Sequence, residues 1–340
     1  MSEIRRREVV GDDTTTMLEN VNENSVGFET NLLRHFINPF RISWILIRLG
    51  HEPLAPVRFQ SPLALVGWTR PTYVYPNIFH YVYNTFRTLG FWKFVSTGVF
   101  AAGCVDFTSE IFHRAFRRRV TVWRTWAKTA PGSLPDLDDR QVDSRGIPPS
   151  ALEAERRMEE SEPFLFANML TEAVSLKTWE VIMTHPFYVV MVRQVASLIG
   201  GETQYGWFPM AVRSVYRESG IRGFFQGIVP RLLGELMTTV VYYLACRIIR
   251  RTVFGVKRRR PLTMCVVQML IYFGLRSYVY TYELTGCIMT VRGSKLLAAT
   301  EANSFSGWRE CKRYLSQSGQ NSRGWLPFLR SHVQTKDLPD

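Results

Sequence analysis

The chain has 340 residues, 46% of them hydrophobic and 13% aromatic, with a formal charge of +13 and a pI near 9.8. That apolar content excludes disorder of the whole chain, and the basic balance points either to an anionic partner such as nucleic acid or to a membrane protein with basic loops. Mean hydropathy is only −0.07, and no stretch of the length a plain spanning helix needs, about 20 residues, is both apolar and free of charge.

Residues 1–27 read as a polar N-terminal tail. Its opening, MSEIRRREVVGDDTTTMLEN, has no apolar core and carries too many acids for a cleaved matrix presequence, so an organelle address must be internal. Long, apolar, aromatic-rich segments follow at about 28–50, 90–116, 163–199, 224–251 and 261–293. All exceed strand length and lack hairpin signals, so they are expected to be helices. Between them lie shorter pieces, FHYVYNTFRTLG, GWFPMAVRSVYRESG and SGWRECKRYLSQSG, with the pattern of amphipathic surface helices. Residues 130–162 shift sharply to Pro, Asp, Glu and Arg and read as a solvated linker. The five cysteines are widely spaced, with no CxxC and no His at zinc-ligand spacing. A reducing compartment, no metal and no cofactor are expected. No nucleophile–base constellation or phosphate loop is visible, so no catalytic residues are assigned and enzymatic activity is not expected.

Under this pattern lies a repeat: a proline-kinked helix, a short amphipathic helix ending at glycine, then a second long helix. In the first copy Gly90 lies 51 positions beyond Pro39, in the second Gly220 lies 34 beyond Pro186, and in the third Gly319 lies 38 beyond Thr281. The copies occupy 28–129, 163–260 and 261–340, and the third is expected to lack its second long helix, since only SHVQTKDLPD follows Arg330.

Three such copies, with PFYVVMVR and ESGIRGFFQGIVPRLL at this separation, resemble the mitochondrial carrier family. Within it the GHEP run at Gly50 to Pro53, HPF at His185 to Phe187 and the glycine-rich stretch from Phe224 to Gly234 are similar to the mitochondrial carrier homologs, the divergent outer-membrane members. The resemblance implies an all-α membrane bundle of carrier-like repeats lacking the sixth transmembrane helix. It also implies a multi-pass protein of the mitochondrial outer membrane that inserts tail-anchored and other helical proteins, and that in animals docks a BH3-type apoptotic protein.

The carrier motif P-x-(D/E)-x-x-(K/R) on each odd-numbered helix supplies an interhelix ion ring. Here it is degenerate: Pro39, Arg41, Trp44; Pro186, Tyr188, Met191; Thr281, Glu283, Gly286. Of six charges only Glu283 survives, so the alternating gate is expected to be absent, leaving one open conformation and no metabolite exchange.

At 100° per residue the remaining polar groups fall into stripes. The first helix aligns Asn31, Arg34, Asn38, Arg41 and Arg48; the second Asp106, Ser109, Glu110 and His113; the third Lys177, Glu180, Thr184 and Tyr188. The fourth aligns Arg231, Glu235, Thr238, Thr239, Tyr242 and Cys246; the fifth Tyr272, Arg276, Tyr280, Glu283, Cys287 and Thr290. Flanks such as LMTTVVYYLAC are too apolar for the solvent faces of a soluble protein, so the stripes predict a wet interior. Its expected client groove comprises Arg34, Asn38, Arg41, Asp106, Glu110, Lys177, Glu180, Tyr188, Glu235, Arg276 and Glu283, open sideways between the first and fifth helices. The basic runs RAFRRRVTVWRTWAK and RIIRRTVFGVKRRRP follow the second and fourth long helices and so emerge on one side. No nucleic-acid recognition motif accompanies them, and an anionic lipid surface is the expected partner.

Overall fold

Glycine and proline punctuation turns this chain into helices joined by tight corners. The computed structural model describes residues 38–59, 72–129, 149–249 and 261–325. In chain order these form α1 (Asn38–Arg48), the strands β1 (Val57–Phe59) and β2 (Thr72–Val74), α2 (Ile78–Leu89), α3 (Phe91–Ser96) and α4 (Val99–Thr129). After these come α5 (Pro149–Gly200), α6 (Phe208–Gly223), α7 (Ile228–Ile249), α8 (Pro261–Thr290), a 3-10 turn at Leu297–Ala299, α9 (Thr300–Ser304) and α10 (Trp308–Gln317).

Among the described residues the molecule is helical, as expected, apart from one small ribbon. β1 and β2 pair antiparallel, with Val57 opposite Val74 and Phe59 opposite Thr72. Both lie in the proline-containing stretch between α1 and α2. Prolines there forbid helix, and its valines and aromatics favour extended backbone.

Two element boundaries differ from the sequence reading. The segment expected at 90–116 is broken at Thr97 and Gly98, after which α4 runs on to Thr129. The linker expected at 130–162 is helical from Pro149 onward, because α5 is a single helix of 52 residues. Its start, PSALEAERRMEE, combines a proline at the first position with Ala, Glu, Arg and Met, so local propensity outweighs the polar composition. The tail 1–27, Asn31, Arg34, residues 130–148 and residues 326–340 lie outside the described residues, and so does the expected end of the third copy. The basic runs after the second and fourth long helices fall mostly outside the described side chains.

The core is formed where α1, α5 and α8 meet the short helices. Ile42, Leu46, Val190, Leu284 and Ile288 pack with Tyr81 of α2, Val215 of α6 and Leu315 of α10. The reverse holds on α7: Val229, Leu233, Met237, Val241, Leu244 and Ile248 are all exposed. They recur every three or four residues, one face of the helix, and a stripe this apolar belongs against lipid. Among the described residues α5 (from Leu170) and α7 are long and apolar enough to cross a membrane, with a third span if the bent pair Ile78–Leu89 and Phe91–Arg114 counts as one. The sequence reading took five. The first of these, α1, is described only from Asn38, over 11 residues, which is shorter than a span.

Candidate functional site: a polar cavity beside a sealed bundle end

Opposite its apolar stripe, α7 points Glu235, Thr238, Thr239 and Tyr242 into a cavity of about 330 Å³, open on one side. Its other walls are His113 of α4, Lys177 and Glu180 of α5 and Tyr272 of α8. Lys177 Nζ lies 3.2 Å from Glu180 Oε2 and 3.5 Å from Glu235 Oε2. Ser109 donates its hydroxyl to Glu180 at 2.6 Å, and His113 Nε2 stands 3.6 Å from the same carboxylate. Thr238 and Thr239 donate to backbone carbonyls of their own helix, so their hydroxyl protons are already used. Tyr242 and Tyr272 meet edge to face at 6.0 Å. The side chains of Lys177 and Glu235 remain 28% and 19% exposed, so the charged lining is accessible rather than locked away.

Elsewhere in the bundle the remaining polar groups pair across helices. Glu283 of α8 is held by Arg276 at 2.9 Å and by Arg48 of α1 at 3.5 Å. Arg48 also donates to the Tyr280 hydroxyl and lies 4.8 Å from the Trp44 ring centroid. Arg231 of α7 sits 4.1 Å over the ring of Tyr188 and 3.3 Å from His185 Nδ1. His185 Nε2 faces the Gln226 carbonyl at 2.9 Å, and a carbonyl can only accept, so Nε2 carries the proton and Nδ1 accepts from Arg231.

Loss of the carrier charges thus leaves these helices with cross-helix contacts of a different origin. Arg48 and Arg231 come from positions outside the P-x-(D/E)-x-x-(K/R) pattern, which therefore could not count them. The seam between the first and fifth helices is also bridged here. Arg323 donates to the Arg48 carbonyl, Tyr280 donates to the Arg323 carbonyl, Trp44 donates to that of Gly324, and Trp325 stacks on Tyr280 at 5.1 Å.

The other expected groove residues are distributed between these clusters. Arg41 pairs with Asp106 at 3.0 Å, tying α1 to α4, and Asn38 donates to the Val95 carbonyl. Glu110 pairs along its own helix with Arg114. Pro39 lies in the first turn of α1 as described, and Pro186 lies inside α5.

Arg193 was missed by the sequence reading. It is fully buried, donating to the carbonyls of Thr290 and Arg292 and to the Gln226 side chain, with Glu218 of α6 at 3.5 Å. Tyr205 donates to the same Glu218, and burial and that carboxylate hold its phenol well above its ordinary pKa. The available signal was a single arginine inside the apolar run VVMVRQV, since a charge there must be buried and paired.

Residues 165–257 match the family profile described as Mitochondrial carrier protein. Mitochondrial carrier homolog 2 of Bos taurus is 27% identical over 167 residues, covering 47% of this chain and 54% of that protein. The Homo sapiens protein of the same name is 28% identical over 156 residues, 44% of this chain and 50% of that one. Mitochondrial carrier homolog 1 of Mus musculus is 26% identical over 170 residues, 42% of either chain. The chain spans about half the length of the curated relatives it matches.

Proposed function

We propose that this chain, which matches the mitochondrial carrier profile over residues 165–257, is a multi-pass insertase of the mitochondrial outer membrane for tail-anchored and other helical proteins. The supporting observation is the accessible Lys177–Glu235 lining of an open cavity in a wall, α7, whose outer face is apolar. In this reading the apolar helix of a client stays along the lipid-facing stripe while its short polar tail passes through the cavity. An ionisable group at mid-bilayer costs roughly 2.5 to 3.5 kcal/mol on insertion scales. Lys177, Glu180, Glu235 and the tyrosines would offset part of that cost by offering polar partners part-way. The mechanism calls for no nucleotide or metal.

The test is Lys177→Met combined with Glu235→Gln, which removes both accessible charges and leaves Glu180 with Ser109. Insertion of a labelled tail-anchored client into proteoliposomes should fall several-fold. Unchanged insertion by folded, abundant variant would overturn the cavity mechanism. A membrane receptor for a BH3-type amphipathic helix is distinguished by the same reconstitution. A receptor retains its partner in a stoichiometric complex, whereas an insertase releases the client into the bilayer.

A further inference from the structure

Helix α2 is bent by 116° from the stretch Phe91–Arg114 that follows it. If that stretch crosses the membrane, a helix set so nearly square to it runs along the membrane surface. On α2 Ile78, Tyr81 and Thr85 are buried against the bundle, while Phe79, Tyr83 and Phe86 are exposed. The corner itself is Gly90, at φ +84°, with nothing within 4 Å of where a Cβ would stand. Around it Phe86 and Phe91 meet edge to face at 5.6 Å, and Phe91 and Trp92 at 5.3 Å. Trp92 is 80% exposed.

Three exposed aromatic rings meeting edge to face on an outward corner are costly in water. Two observations favour lipid over a protein cover. The patch is followed in the chain by the apolar outer face of α4, where Phe100, Phe107 and Ile111 are exposed. It is also flanked by Arg87 and Lys93, both exposed and of the charge that attracts lipid phosphates. Aromatic rings beside cations are the composition of a membrane–water boundary.

We infer that the α2–α3 corner is a lipid wedge, with Phe86, Phe91 and Trp92 seated at the boundary between headgroups and acyl chains and with Arg87 and Lys93 on lipid phosphates. The inference rests on α4 crossing the membrane, part of the multi-pass reading above, but not on insertase activity.

Depth-dependent quenching of tryptophan tests it in the full chain, reconstituted into phosphatidylcholine vesicles. The emission lost on Trp92→Phe isolates that residue. It should be strongly quenched by lipids brominated near the headgroup, less by lipids brominated near the chain end, and little by aqueous iodide. Quenching by iodide alone would mean that the corner lies in water. Protection from both quenchers would mean that protein covers it, and either result overturns the wedge. Phe107→Trp in the Trp92→Phe background reports on α4 separately. If Trp at 107 is quenched by brominated lipid and Trp92 is not, the wedge fails and the span stands. If neither is quenched by brominated lipid, the spanning reading of α4 fails and the wedge with it.

Discussion

Tyr188 stands where a carrier's motif would have an acid, and the structure gives it an arginine all the same, from α7 instead of from a neighbouring odd-numbered helix. A cation over an aromatic face contributes about 0.5 to 2 kcal/mol, with the larger values where water is excluded. It needs no charge on the partner. Arg193 is the more demanding case, because it is fully buried and its donors go to three different segments: the end of α8, the turn before α7 and Glu218 of α6. Removing one partner of a buried ion pair typically costs about 3 to 5 kcal/mol, since the remaining charge is left unpaired. Arg193→Met should therefore lower the thermal unfolding midpoint of the detergent-solubilised protein sharply, and Arg193→Met with Glu218→Gln should recover part of the loss. A single variant as stable as the parent would show that the buried network contributes little.

At the scale of elements, the crossing of α7 and α8 depends on glycine. Gly227 has φ +78°, and a Cβ there would collide with the Gly286 carbonyl oxygen; a Cβ on Gly286 would in turn lie 3.2 Å from that of Arg231. This close approach brings Arg231 into reach of His185 and Tyr188. Gly227→Ala should thus destabilise the bundle by more than the left-handed backbone alone, which costs roughly 1 to 2 kcal/mol for a residue with a Cβ. Gly103→Ala is the control, since Gly103 is helical with nothing within 4 Å, and should be neutral or slightly stabilising by helix propensity. Equal midpoints for the two variants in thermal unfolding would contradict the packing argument. The short amphipathic helices were legible from their patterns, and α2, α6 and α10 lie where those patterns place them. The start of α5 was not, because a polar, charged, proline-containing stretch and the first turns of a long helix share a composition; strong local helix formers decide between them.

For the whole molecule, the decisive features are an open polar cavity and a bundle end where Glu283 pairs with Arg48 and Arg276 and Arg231 lies over Tyr188. Arg48→Ala with Tyr188→Ala should unseal that end. Proteoliposomes holding a small anionic dye should then leak faster than those with the parent chain, and a parent chain that leaks equally would show that the contacts make no barrier. The helical class and the carrier resemblance could be read from the chain because each depends on local periodicity and on neighbours within a turn or two. Which charge pairs with which could not. Arg48 and Glu283 are 235 positions apart, and the cation over Tyr188 lies outside the motif that would have named a partner. Ion pairing falls off over a few ångströms, so it is decided by how the helices cross, and those crossings are set by glycines and packing contacts distant in sequence.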